Sequence, residues 1–173
     1  MMELLKSLKK MLDLTLDIVC GLLMAMLLVV VLWQVASRYA IKTPSPWTEE
    51  LAGFLMIWLS LIGACAAFRR HAHLGIDFLT AKFDSSRKQF LLKSIAALCC
   101  ALFSLLVLLA GGTELVWKTF LTNQTSATLG IKTGYVYLAV PISGFCITIY
   151  SLQDMFTFTA KYSEHLKTIR AGQ

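Results

Sequence analysis

The stretch that decides the fold is residues 18–37, which read IVCGLLMAMLLVVVLWQVAS and contain no Asp, Glu, Lys, Arg or His. Three further runs share this property, at residues 51–68, 94–113 and 133–153. An α-helix rises about 1.5 Å per residue, so about 20 residues cross a hydrocarbon core about 30 Å thick. The sequence therefore predicts four membrane-spanning helices.

The composition agrees with a membrane protein. Of the 173 residues, 57% are hydrophobic and 15% are charged, whereas soluble domains carry about 25% charged residues. The longest segment outside the four runs has 25 residues, and a compact domain needs about 50. A soluble catalytic or nucleotide-binding domain is therefore excluded. We predict an all-α integral membrane protein that is not an enzyme, with residues 1–173 forming a single four-helix membrane domain.

Two amphipathic segments flank the predicted spans. Residues 1–13 place leucines and methionine at helical spacing with lysines on the opposite side, which is typical of an interfacial helix. A second interfacial segment is expected in the loop between spans two and three, at residues 71–84. The predicted spans are residues 14–39, 47–68, 90–116 and 134–158.

The net charge of +6 is distributed unevenly between the two sides of the predicted bundle. Twelve of the 16 Lys and Arg residues precede span one, lie between spans two and three, or follow span four. Since cytoplasmic loops carry the excess of Lys and Arg, both termini are predicted in the cytoplasm. The positive charge therefore reports topology and does not indicate a nucleic-acid partner. The four remaining cations are Arg38, Lys42, Lys118 and Lys132.

All five cysteines fall inside the predicted spans, where they are expected to pack as small apolar residues. An odd number of thiols in hydrocarbon gives no disulfide framework. The adjacent Cys99 and Cys100 could be taken for a redox pair, but thiolate chemistry needs an exposed electropositive setting. We therefore do not assign them a redox function.

The start of span two concentrates polar residues at one membrane boundary. Ser45 is expected to cap the helix, Pro46 to occupy its first position, and Glu49 and Glu50 to lie in its first turn. Either carboxylate could pair with Arg38 across the short loop or contact a partner. Adjacent helix positions diverge by about 100°, which argues against a shared cation or acid–base site.

Two histidines in the loop after span two raise the question of a metal or haem. His71 and His73 fall short of the three or four ligands that zinc requires, and a haem between helices would need histidines within the spans. No cofactor is therefore predicted. His73 and Asp77 stand four residues apart and could pair along one helix face.

Several short motifs follow one another between residues 34 and 77. These are QVASRY at 34–39, WTEEL at 47–51, Trp58, Gly63, the pair Arg69 and Arg70, and HLGID at 73–77. In combination, their order and spacing resemble the small membrane subunit of tripartite ATP-independent periplasmic (TRAP) transporters, and the resemblance extends over all four spans.

This resemblance implies an auxiliary role in the bacterial inner membrane. Its partners would be a large membrane subunit that moves substrate with sodium and a periplasmic substrate-binding protein. The substrate would be an organic acid of the sialic acid or C4-dicarboxylate type, and the lipid bilayer would surround the chain. The residues we expect at the partner interface are Arg38, Trp47, Glu49, Glu50, His73 and Asp77.

Two other classes of four-span protein remain as alternatives. A small multidrug exporter needs a membrane-embedded carboxylate, and the four charge-free runs contain none. A subunit of a membrane oxidoreductase would need haem histidines or exposed thiols, which the spans also lack. What co-purifies with the chain distinguishes the three classes.

Overall fold

The computed structural model describes residues 2–43, 45–69, 86–153 and 155. Within these ranges the chain is helical apart from its connecting turns and one isolated antiparallel bridge between Thr125 and Lys132. The predicted all-α class is confirmed. The named helices are Met2–Ala36, the π-helix Ser37–Ile41, Pro46–Arg69, Ser86–Phe103, the π-helix Ser104–Gly111, Gly112–Leu121 and Gly134–Tyr137.

Among the described residues, four helical stretches are long enough and apolar enough to cross a membrane, as the sequence predicts. The third continues five residues past the predicted end at 116 and contains the π-helical segment. We name the four stretches TM1 (Met11–Ala40), TM2 (Pro46–Arg69), TM3 (Leu92–Leu121) and TM4 (Gly134–Gln153).

The helix of TM1 extends beyond the membrane-spanning part toward the N-terminus. It runs without a break from Met2 to Ala36, so residues 2–13, predicted as an interfacial segment, continue directly into the span. The second interfacial segment, residues 71–84, lies outside the described residues. That either segment lies in the membrane interface stays a prediction.

The core of the bundle joins TM1, TM2 and TM4. Leu16 of TM1, Ile62 and Cys65 of TM2, and Cys146 and Tyr150 of TM4 form one buried cluster. Half-buried side chains from all three helices pack against it, so these helices share one apolar core. These are Val19, Cys20, Leu23, Trp58, Phe68 and Ile147.

TM3 and TM4 approach each other closely along a second seam. A Cβ atom built at Gly144 would lie 2.7 Å from the Cβ of Leu108, and one at Gly112 would lie 2.9 Å from Val140. Real Cβ atoms do not come this close, so both positions require glycine. The helix Gly134–Tyr137 ends at a turn at Leu138. Pro141 has no N–H to donate to the Tyr137 carbonyl, so the regular hydrogen bonding of TM4 is interrupted here.

All five cysteines are free thiols, as expected. Cys65 and Cys146 are buried, and the Cys65 thiol donates to the carbonyls of Leu61 at 3.3 Å and Ser143 at 3.5 Å. Buried thiols of this kind pack as small hydrophobic groups with a weak donor. They therefore belong to the helix contacts.

Candidate functional site

The carboxylate of Glu50 is held by the loop between TM3 and TM4. It accepts the backbone N–H groups of Ala127 at 3.1 Å, Thr128 at 3.0 Å and Leu129 at 3.2 Å. It also accepts the hydroxyl of Thr128. Hydrogen bonds to an ionised acceptor are about twice as strong as neutral ones, so this contact anchors the start of TM2 to a loop 78 residues away in sequence.

The loop is shaped to present three successive N–H groups at one point. Ser126 donates its N–H to Ile131 at 2.8 Å and receives that of Gly130 at 3.2 Å. Gly130 has a φ of 66°, which glycine adopts without strain. The hydroxyl of Ser126 accepts the N–H of Leu129 at 3.2 Å. Consecutive N–H groups in such a turn form an anion-binding concavity, and Glu50 fills it.

The first turn of TM2 directs its two carboxylates to different places. The helix begins at Pro46, as predicted, and the Thr48 hydroxyl donates to the Ser45 carbonyl at 2.6 Å. Glu50 faces the loop, whereas Glu49 lines a cleft on the TM1 side. The divergence expected of adjacent helix residues is therefore confirmed.

The cleft lies between the end of TM1 and the start of TM2 and encloses about 250 Å³. Arg38 projects from the π-helix Ser37–Ile41, which ends where Lys42 takes a left-handed φ of 58°. Among the described residues, no ion pair joins Arg38 to either carboxylate, so the expected pairing is not formed. The cleft is lined by Gln34, Arg38, Ser45, Pro46 and Glu49.

A second polar cluster closes the opposite end of the bundle. The Arg69 guanidinium donates to the Asp13 carbonyl at 2.6 Å and to both carboxylate oxygens of Asp17 at 2.8 Å. The Tyr150 hydroxyl donates to the Asp13 carboxylate at 2.8 Å. One guanidinium and one phenol therefore tie together TM1, TM2 and TM4.

The sequence patterns did not indicate this second cluster. Asp13 belongs to the amphipathic segment 1–13, and Arg69 is one of the Arg69 and Arg70 pair, but neither pattern predicts that the two side chains meet. The available signal was the spacing of Asp13 and Asp17, four residues apart on one helix face, at the same end of the bundle as Arg69.

The remaining candidate residues lie apart from these contacts. Trp47 is 43% exposed beside the cleft. His73 and Asp77 lie outside the described residues, so their predicted pairing stays a prediction. Within the described part of the chain, no group of three His, Cys, Asp or Glu side chains is placed to hold a metal ion.

Several hydroxyl side chains of the membrane interior bond to helix carbonyls and to one another. Ser104 of TM3 and Thr148 of TM4 share a hydrogen bond of 2.8 Å, and Thr148 also donates to the Gly144 carbonyl at 2.7 Å. The buried hydroxyl of Ser151 donates to the Ala97 carbonyl at 2.6 Å. Such bonds join helices where water is absent.

These features define a multi-pass helical membrane protein whose charged contacts are concentrated at the two ends of its bundle. Residues 26–160 match the family described as tripartite ATP-independent periplasmic transporters, DctQ component. The match covers more than half of the sequence, so the chain belongs to this family of small TRAP membrane subunits. It is accordingly a multi-pass protein of the bacterial inner membrane, as predicted.

Known relatives extend the comparison. The chain is 29% identical over 153 residues to the sialic acid TRAP transporter small permease protein SiaQ of Vibrio cholerae, covering 88% of this chain and 86% of SiaQ. It is 32% identical over 91 residues to the C4-dicarboxylate TRAP transporter small permease protein DctQ of the same species, covering 53% and 38%.

A third relative is a much longer protein. The chain is 35% identical over 57 residues to the sialic acid TRAP transporter permease protein SiaT of Haemophilus influenzae, covering 33% of this chain and 9% of SiaT. The tripartite family and this permease agree with the predicted partner classes, a large membrane subunit and a periplasmic binding protein.

Proposed function

We propose that this chain is the bracing membrane subunit of a sodium-driven TRAP importer of an organic acid. It supplies packing surface to the large membrane subunit, which carries the substrate, and it has no catalytic activity of its own. The substrate is of the sialic acid or C4-dicarboxylate type, since relatives with both specificities match the chain.

The observation that carries this proposal is the distribution of polar groups along the bundle. Pathways for ions or anionic substrates through a membrane are built from ionisable and polar side chains. Among the described residues, the charged contacts lie toward the ends, at Glu50, at Arg69 and between Glu114 and Lys118 in the last turns of TM3. The interior hydroxyls of Ser104, Thr148 and Ser151 already bond within the bundle. The chain therefore offers a wall beside a pathway rather than a pathway.

The exposed apolar surface supports a bracing role. TM1 is the least buried of the four spans, and its exposed side chains run its whole length. The segment of SiaT that resembles this chain lies within the same polypeptide as a permease, which supports direct contact with the large subunit. We place the partner interface around the Glu50 end, where Arg38, Trp47 and Glu49 are exposed.

Reconstitution tests the proposal directly. Proteoliposomes with an inward sodium gradient would contain this chain alone, the large subunit alone, or both, each with the binding protein and its radiolabelled substrate. We expect sodium-dependent uptake when both membrane subunits are present, and background uptake with this chain alone. Sodium-driven uptake by this chain alone would show that it contains the pathway itself.

The same preparation separates the rival classes. An exporter would move a cationic dye in exchange for protons flowing down their gradient, without any partner, and an oxidoreductase subunit would show a haem spectrum or quinone reduction. We expect neither signal. Co-purification of a large multispan subunit with the tagged chain would support the proposed assembly.

A further inference from the structure

The cleft at the Glu50 end holds two opposite charges that do not neutralise each other. In the described part of the chain, neither the Arg38 guanidinium nor the Glu49 carboxylate has a hydrogen-bond or ion-pair partner, although both line the same 250 Å³ space. Glu50, the neighbouring carboxylate, is fully engaged by the loop. The cleft therefore presents one free cation and one free anion to whatever enters it.

Its position favours a ligand from the bilayer. The cleft lies at the end of TM1, next to the start of TM2. Tyr39 is 74% exposed and Trp47 is 43% exposed on these two helices, and such aromatic rings mark the level of lipid headgroups. Val31 and Val35 are exposed one to two turns further into the span on the side of Arg38. Acyl chains can therefore lie along TM1 below the cleft.

The two charges select the chemistry of the headgroup. A guanidinium binds phosphate through two parallel N–H donors, and a carboxylate accepts N–H donors from a primary ammonium. The volume is below the 300–1,000 Å³ of pockets that hold drug-sized ligands, so the cleft suits a small headgroup. We infer that the cleft formed by Arg38 and Glu49 binds a phospholipid whose headgroup joins a phosphate to a primary ammonium, and that this lipid lies at the border of the proposed contact with the large subunit.

The assignment makes distinct predictions for three lipids. Phosphatidylethanolamine satisfies both charges. Phosphatidylcholine offers the phosphate but no N–H donor for Glu49, and phosphatidylglycerol has no cation and brings its net negative charge near that carboxylate. Native mass spectrometry of the full-length chain, released from detergent with equal amounts of the three lipids bearing identical acyl chains, measures their relative retention.

We expect phosphatidylethanolamine to be retained about fivefold more than either competitor, the scale of one charge contact at a membrane boundary. Glu49→Gln should reduce that preference to about twofold or less and raise the share of phosphatidylglycerol. Arg38→Gln should lower the retention of all three lipids. Equal retention of the three lipids by the unaltered chain would overturn the assignment, as would an unchanged preference in both variants.

Two controls keep the result specific. Glu114→Gln removes the same charge from an exposed carboxylate that pairs with Lys118 at 2.6 Å on TM3, and it should leave the lipid preference unchanged. Soluble glycerophosphoethanolamine carries the same headgroup without acyl chains and should give no adduct. Binding of this compound as strongly as the lipid would overturn the bilayer as the source. Circular dichroism of each variant checks that the helices remain folded.

Discussion

The carboxylate of Glu50 shows how one residue can fix a loop at a membrane boundary. Its two oxygens accept the N–H groups of Ala127, Thr128 and Leu129. Without Glu50, these donors would turn to water, and the loop would lose its link to TM2. The neighbouring Glu49 has no such partner in the described part of the chain and faces the cleft instead. Two chemically identical neighbours therefore have separate functions.

Glu50→Gln tests this difference. Glutamine replaces one acceptor oxygen of Glu50 with an NH₂ group, which cannot accept a backbone N–H, so at least one of the bonds to the loop is lost. We expect the melting temperature of the purified chain to fall by about 2–4 °C. Glu49→Gln is the matched control and should leave the melting temperature within about 1 °C. Equal effects of the two substitutions would contradict the assigned contact.

At the scale of helices, the Arg69 cluster and the TM3–TM4 seam hold the bundle together by different means. The cluster joins TM1, TM2 and TM4 through charge-assisted hydrogen bonds to Asp13 and Asp17. The seam depends on the absence of a side chain at Gly144, which allows contact with Leu108 and Leu109. Each mechanism gives a separate prediction.

Removing the Arg69 guanidinium should reduce the stability that the Arg69 cluster gives to the bundle. The Arg69 side chain is 11% exposed and that of Asp17 is 44% exposed, so the pair is partly screened by solvent. We expect Arg69→Gln to lower the free energy of unfolding by about 1–3 kcal/mol, the scale of hydrogen bonds to charged groups. Tyr150→Phe removes one hydrogen bond and should cost about 1 kcal/mol.

A double-mutant cycle separates the Arg69–Asp17 interaction from other effects of the two substitutions on stability. If Arg69 and Asp17 interact directly, the loss in Arg69→Gln/Asp17→Asn should be smaller than the sum of the single losses. Thermal denaturation in one detergent, followed by near-ultraviolet circular dichroism, measures all three variants. Strict additivity would show that the contact contributes nothing to stability.

The close contact at Gly144 predicts that alanine substitution lowers stability there but has little effect at Gly63. In Gly144→Ala, the new Cβ would lie 2.7 Å from Leu108 and 2.9 Å from the backbone nitrogen of Leu109. We expect a cost of about 1–3 kcal/mol, as is typical of overpacking. In Gly63→Ala the new Cβ meets nothing within 4 Å, and stability should change by about 0.5 kcal/mol or less.

The whole molecule has two distinct ends, and its orientation follows from its charges. Asp13, Arg69 and Tyr150 meet at one end, whereas Glu50 meets the TM3–TM4 loop at the other. TM2 and TM4 therefore run in the same direction, and TM1 runs in the opposite one. The uneven distribution of Lys and Arg predicts that the Arg69 end is cytoplasmic.

Reporter fusions measure this orientation. Alkaline phosphatase is active outside the cytoplasm and green fluorescent protein is fluorescent inside it. We expect the cytoplasmic signal after Lys82 and after Gln173, and the periplasmic signal near Ser45 and Asn123. A periplasmic signal after Lys82 would reverse the assigned orientation and would place the Arg38 cleft in the cytoplasmic leaflet.

The spacing of small residues does not determine which helices pack closely. Small residues four positions apart, such as Gly63 and Ala67 or Gly21 and Ala25, are typical of close helix contacts. The structure leaves open space beside Gly21 and Gly63 and uses Gly144 instead. A small residue permits close approach from either side of its helix, and only the position of the neighbouring helix decides whether the approach occurs.

The sequence by itself determined the class, the number of spans and the start of TM2 at Pro46. These features are local. In hydrocarbon a spanning segment has to satisfy its own backbone hydrogen bonds, which a helix does, and its side chains have to be apolar over about 20 residues. The resemblance to the TRAP family likewise came from the order of short motifs between residues 34 and 77, and the family match over residues 26–160 confirmed it.

The tertiary structure alone decided which charged groups meet. Glu50 and Thr128 are 78 residues apart, Arg69 and Asp13 are 56 apart, and Tyr150 and Asp13 are 137 apart. Helical spacing predicts neighbours three or four positions away, but it carries no information about contacts at these separations. They arise because packing of apolar faces sets the helices side by side, and the polar ends then bond to whatever that packing has brought within reach.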